Sequence, residues 1–307
     1  MNQGRYLEAF SAAKQAIQID ESRYTAYYYA AFALFGRDLF DDALPYVKAA
    51  LTRVPLQDQP AVGRLIVAIK QKRAFSEKVA AGDHALQQGQ VAKAATLFTE
   101  AWQALPARGD MALKAARLWI DRAREPIQAA KVLRDLGDKA QDATVRDEAQ
   151  RLLDQVRPAV QAIGEEALRW LSERAPDLIF YRHRKDDYSI EKCESLKFNG
   201  SIMYLRLTRT FQDSKHVNDY KIDLIDIDSA LKPSESEKDT WHITLHSKIE
   251  FRYQHSQVAE GFPDSTLETS TKEISLRFHD HEAAKKVAKA FDYAINAARV
   301  SRTARLF

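Results

Sequence analysis

Ala9, Ala16 and Glu21 stand 34 residues before Ala43, Ala50 and Pro55. A fixed interval of that length restricts what the chain can fold into. It marks units of two helices, neither able to bury its apolar side alone, that stack and share a continuous core. Such arrays present an elongated face to other molecules, so the interval directs attention to binding before catalysis.

Residues 24–57 read as one full unit. Tyr27, Ala30, Ala31 and Leu34 have the spacing of a first helix, Ala43, Val47 and Ala50 that of a second, and Pro55 closes it. A second unit spans 75–108, with Ala81, Gly82, Ala85, Gly89, Ala94, Phe98, Ala101 and Pro106. Small residues are needed where two helices approach closely, and proline stops a helix. This pattern resembles the tetratricopeptide repeat. The resemblance covers residues 1–175 and implies a helical array that holds another protein or peptide. In that family the groove is lined mainly by the second, fifth, ninth, twelfth and thirteenth residues of a unit. Those positions are here Thr25, Tyr28, Phe32, Phe35 and Gly36 in the first unit, and Ser76, Val79, Asp83, Leu86 and Gln87 in the second.

Two departures carry expectations. The chain begins within a unit, because Gly4, Tyr6 and Ala9 read as a second helix without its first. A fragment of a longer protein, or a lone capping helix, is therefore expected. Ala43 to Ala94 also exceeds one interval by half of another, and the additional segment 58–74 has Val62, Leu65, Ile66 and Ile69 at helical spacing. One additional long helix is expected there. Beyond Pro106 the motif decays. Met111, Leu113, Ala116 and Trp119 predict a helix, Ile127, Ala130, Val132 and Leu133 its partner, and 142–174 terminal helices with a break at Pro158.

After Ala175-Pro176 the apolar period falls to two. Met203, Leu205 and Leu207 alternate with Tyr204, Arg206 and Thr208; Tyr220, Ile222 and Leu224 with Lys221 and Asp223; Trp241, Ile243 and Leu245 with His242, Thr244 and His246. Ile249, Phe251 and Tyr253 follow, then Ile274, Leu276 and Phe278. Clean alternation predicts antiparallel strands with one wet face. Asn199-Gly200 marks a hairpin, and the polar segments 212–219, 231–239 and 255–270 read as loops. Asp280 is placed to cap a last helix whose apolar face carries Ala284, Val287, Ala288, Phe291, Ala294, Ile295 and Ala298. The expected class is thus α+β in two domains: a helical repeat array over 1–175, then over 185–307 an antiparallel barrel or sheet capped by a helix. Strands followed by one amphipathic helix resemble a pleckstrin-homology-like domain, Leu276 to Ile295 being similar to its closing strand and helix. A lipocalin-like or other small barrel is the competing fold. Some members of that family bind phosphoinositides through basic residues near the first hairpin, which singles out Lys197, Arg206 and Arg209 as possible anion or lipid contacts.

Composition narrows the function. The net charge of +3 lies within the first 175 residues and the remainder is neutral, so nucleic acid is not an expected partner. The basic clusters Lys70, Lys72, Arg73 and Arg182, Arg184, Lys185 read as a solvated helix end and a linker, as does Asp186-Asp187. No membrane-spanning run or signal peptide stands in the sequence. Cys193 is the single cysteine, which excludes an intrachain disulfide or cysteine-rich zinc site and makes the cytoplasm the expected location. His279, Asp280, His281 and Glu282 are neighbours, but adjacent strand residues point to opposite faces. His242 and His246 are about 13 Å apart along a strand. No phosphate loop, nucleophile elbow or zinc-protease motif occurs. No catalytic residue, metal or cofactor is expected. The reading is a non-enzymatic adaptor or scaffold for a protein or peptide. The alternatives are a membrane-surface or phosphoinositide-associated protein using the β domain, and the sensor or regulatory portion of a larger multidomain protein.

Overall fold

The computed structural model describes residues 3–182, 190–211, 214–228, 233–237, 240–259 and 265–303. Arg184, Lys185, Asp186 and Asp187 lie outside them, as do the loop positions Gly261 and Pro263. Helices α1 (Gln3–Ile19), α2 (Tyr24–Phe35), α3 (Phe40–Leu51), α4 (Gln59–Gln87), α5 (Val91–Ala104), α6 (Gly109–Leu118), α7 (Pro126–Lys139) and α8 (Ala143–Leu178) come first. Strands β1 (Phe180–Arg182), β2 (Ile190–Asn199), β3 (Ile202–Thr210), β4 (Ser214–Asp223), β5 (Ser234–Glu237), β6 (Thr240–Ala259) and β7 (Ser265–Phe278) follow, and α9 (His281–Thr303) ends the described chain. Two compact units divide within α7 and α8: Met1–Arg124 with Asp135–Gln150, and Glu125–Arg134 with Arg151–Phe307.

In the first unit the alanines of the repeat explain the helix pairing. Ala30, Ala31, Ala43, Ala50, Ala94 and Ala101 are buried, because a methyl group is what lets two helix backbones come close. The two first helices end alike. After α2, Asp38 takes a left-handed φ of 62° and Leu39 N–H donates back to Leu34 O at 3.0 Å. After α4, Gly89 takes φ 72° and Gln90 N–H donates to Ala85 O at 2.9 Å. Both are six-to-one closures that satisfy end carbonyls with one left-handed residue. The segment 58–74 does not form a separate helix. It is fused to the first helix of the second unit as the 29-residue α4. Val62, Leu65 and Ile69 pack with Ala31, Ala43 and Val47, whereas Ala85 packs with Ala94, Phe98 and Ala115. One helix thus serves two successive layers. No break occurs at Pro158, since α8 runs on through it and through Pro176.

The second unit is an antiparallel sheet in the order β1-β2-β3-β4-β6-β5, with β7 along the other side of β6. Gly200, at φ 61°, makes the two-residue turn that pairs Asn199 with Ile202. Among the described residues β1 pairs with β2 and β7 with β6, so the sheet is open and not a closed barrel. The segments read as loops are in part strand: β4 begins at Ser214, β6 continues to Ala259 and β7 starts at Ser265. These polar stretches extend the hydrogen-bond ladder past the apolar core, where no buried face imposes alternation. Asp280 caps α9, accepting from Glu282 N–H at 3.0 Å and Ala283 N–H at 3.1 Å.

Core residues of the sheet, Met203, Leu205, Ile243 and Leu276 among them, form one cluster with Val287, Phe291 and Ile295 of α9. Ala167, Leu171 and Ala175 of α8 join it, so a helical segment within 1–175 shares the core of the sheet. Phe291 is fully buried. Phe291→Ala is expected to destabilise the chain by about 3–5 kcal/mol, the usual cost of a buried Phe truncation; an unchanged melting temperature would refute its place in the core. Gly164 of α8 faces α9, and a Cβ there would overlap that of Ala297. Alanine gains about 1 kcal/mol of helix propensity over glycine. Overpacking costs about 1–3 kcal/mol, and Ala297 has no side-chain torsion with which to yield. Gly164→Ala is therefore expected to lower the denaturant midpoint despite its better propensity, and a raised midpoint would contradict the close approach.

Candidate functional site

On α2, Thr25, Tyr28, Phe32 and Phe35 recur at three- and four-residue intervals and share one face. The Tyr28 and Phe32 rings stack with centroids 6.5 Å apart, and Tyr29 meets Tyr28 edge-on at 5.7 Å. Tyr29 is 60 % exposed and Phe32 40 %. Thr25 is half-buried, while Tyr28 and Phe35 rest against the first-layer core. Lys72 closes the far end of the stripe. Its Nζ lies 5.1 Å from the Phe35 ring centre and 2.8 Å from Asp38. The second set lies on α4 and is different in character. Ser76 is exposed, Val79 and Leu86 lean on the core around Phe98, and Asp83 pairs with Lys114 at 2.9 Å. The aromatic stripe is therefore confined to α2.

The structure separates Lys197, Arg206 and Arg209. Lys197 and Arg206 lie on the outer sheet face, beside an open hollow of about 630 Å³. Strand register sets Lys197 opposite Tyr204 and Tyr204 opposite Lys221, a row of two cations about one exposed ring. Lys221 Nζ stands 5.9 Å from the centre of that ring. Arg206 is held by both oxygens of Asp219, at 2.6 and 2.9 Å, which consumes its fork. Arg209 instead borders a smaller cleft of about 180 Å³ with Glu191, Leu207, Asn218, Tyr220 and Arg277.

In this cleft Arg277 reaches Glu191 at 3.6 Å. Burial raises the Glu191 carboxyl above its ordinary value, against the attraction of Arg277 and Arg209. The Arg209 guanidinium lies 4.8 Å from the Phe211 ring centre, and its Nε has no partner among the described residues. Asn218 Oδ1 is 2.7 Å from His255 Nδ1. An amide oxygen only accepts, so this ring nitrogen carries the proton. The same ring's Nε2 lies 3.4 Å from His216 Nδ1, which links the two rings. Cys193 is buried nearby in the sheet core, and desolvation pushes its thiol up to about 12, which leaves it unreactive at neutral pH.

Sequence reasoning overlooked Glu191, His216, Asn218 and His255. For His216, Asn218 and His255 the signal lay in even spacing in step with Tyr220 and Tyr253, obscured because 212–219 and 255–270 look like loops. Tyr204 and Lys221 become a row with Lys197 only once the Gly200 turn fixes register. Among the described residues no three His, Cys, Asp or Glu side chains are grouped to hold a metal ion, and no helix is long and apolar enough to cross a membrane. No protein-family model matches the chain, and no curated protein sequence matches it.

The His216–His255 pair has a consequence for stability. Desolvation first, then His255 and Arg209, lowers the His216 pKa. The unfolded chain binds that proton more readily, so stability present above the ordinary histidine value, about 6.5, is lost as pH falls below it. Melting temperature is expected to decline from pH 7 to 5, and His216→Gln is expected to flatten the decline. An equal slope in the variant would rule His216 out as its source.

Proposed function

We propose that this chain is a non-enzymatic adaptor whose helical array, similar to tetratricopeptide repeats, binds an apolar segment of another protein. The observation that carries the reading is the stripe on α2, where Tyr29 and Phe32 keep 60 % and 40 % of their surface in water beside Tyr28. Large aromatics cost free energy in water and recover it when a partner covers them, and such residues dominate binding hot spots. Two further observations support it: the helices keep the small-residue contacts that such arrays need, and both repeat turns close in the same way. The buried, unreactive thiol of Cys193 is in keeping with a cytoplasmic protein.

The test is selection from a random peptide library on the full chain, followed by fluorescence anisotropy of the selected peptide. Tyr28→Ala with Phe32→Ala is expected to weaken binding at least about tenfold, since single hot spots are worth about 2 kcal/mol. Tyr29→Ala is expected to act in the same direction. Circular dichroism should not change. Unaltered affinity would remove the stripe from the binding face, and lost helicity would assign these rings to the core.

A second reading is favoured by the row Lys197, Tyr204 and Lys221. In it, the outer sheet face of the pleckstrin-homology-like domain rests on an anionic membrane surface, each lysine contributing about 1 kcal/mol of attraction. Flotation with anionic and neutral vesicles separates the readings: binding to the anionic set alone, lost in Lys197→Ala with Lys221→Ala, would support it.

A further inference from the structure

The cleft beside Arg209 is lined on one side by donors and on the other by apolar surface. Three groups decide what it could hold. Arg209 is a permanent cation that lines the cleft, and because its Nε is closed to a water-sized probe, a ligand could meet only the rest of the guanidinium. Asn218 has committed its oxygen to His255, so its amide hydrogens are the capacity it has left. Leu207 and the Tyr220 ring, which stacks on Tyr253 at 4.8 Å, form an apolar wall.

Charge narrows the ligand further. Glu191 feels the attraction of both Arg277 and Arg209, so one carboxylate meets two guanidinium charges in the cleft. A single negative charge balances the cleft. Size sets a limit too: about 180 Å³ equals roughly six waters at their liquid share of about 30 Å³ each. That is room for a carboxylate with a short carbon tail or one small ring. We propose that this cleft binds a small organic monocarboxylate, its oxygens meeting the Arg209 guanidinium and the Asn218 amide hydrogens, its apolar part lying against Leu207 and Tyr220. The inference is independent of the helical stripe and assigns the sheet a ligand of its own.

The experiment is isothermal titration of the full chain with sodium propionate and sodium benzoate, at constant ionic strength, with propionamide, benzamide and inorganic phosphate as comparisons. One of the two acids is expected to bind, with its amide and phosphate at least about tenfold weaker, because a hydrogen bond to a charged partner is worth about 1.5–3 kcal/mol. Arg209→Met is expected to weaken the acid by at least the same factor, and Arg209→Lys, which keeps the charge but not the planar guanidinium, by less. Should Arg209→Met fail to fold, Arg209→Gln takes its place, with the same expected loss. No binding by either acid means that water alone fills the cleft, and the proposal falls. It falls equally if the amide or phosphate binds as well as the acid, or if loss of the guanidinium leaves affinity unchanged.

Discussion

Close approach between helices is the constraint on which both units depend. A helix pair separated by methyl groups gains dispersion contacts along its whole length, but it tolerates no larger side chain at the crossing. In the first unit the alanines at the repeat interval meet that demand. In the second it falls on Gly164, which lets α8 lie against Ala297 of α9. The consequence reaches the sheet. With α8 on one side and the strands on the other, Phe291, Ile295, Asn296 and Val300 are all buried, although a helix on a sheet ordinarily buries a single stripe. The Asn296 side-chain nitrogen then finds an acceptor within its own helix, donating to Asp292 O at 2.6 Å, while its oxygen has no partner among the described residues.

The same economy explains the half-interval between the two repeat units. Inserting about half a repeat into an array does not require a new turn if the added residues remain helical. Segment 58–74 does so by running directly into the next first helix, and its apolar residues at helical spacing supply a contact face for the layer behind it. Asp58 marks the joint, accepting from the Tyr24 hydroxyl at 2.7 Å across one repeat length. A helix of this length carries two registers of burial, Val62 to Ile69 and then Gly82 to Ala85, without the hinge that two short helices would introduce.

Much of this was legible in the sequence, for a physical reason. Alternation and helical spacing record which side of an element is buried, so α2, α3, α5, the core of β3 and the face of α9 could all be read directly. What the pattern does not record is the partner. The stripe Ala167, Leu171 and Ala175 reads as a terminal helix of an array, yet it packs with strands that follow it in sequence. Strands that extend past the core are silent in the same way. Residues 214–219 pair with 254–259, and none of 214–219 or 254–257 is buried; hydrogen-bonded backbone leaves no compositional trace. Of the residues around Arg209 only Asn218, with His216 and His255 beside it, falls in that silent stretch; Glu191, Leu207, Tyr220 and Arg277 stand outside it and are brought together by strand register, which spacing along the chain does not record.

The two faces of the sheet also divide labour by parity. Along β3, Arg206 and Arg209 differ by an odd number of residues and must point to opposite sides. On the wet side Arg206 finds Asp219 on the next strand, and a bidentate pair of that geometry fixes the side chain and spends its charge. On the inner side the residue opposite Arg209 is His216, which in neither protonation state offers a negative charge, and the carboxylate of Glu191 is shared with Arg277. A paired arginine contributes to the sheet. One that shares a single carboxylate with a second arginine, beside an apolar wall, keeps attraction for a further anion, and in a medium less polar than water that attraction is stronger per charge than at the surface. Sequence spacing alone, which groups Lys197, Arg206 and Arg209 as one basic patch, misses this distinction because it counts charges without their partners.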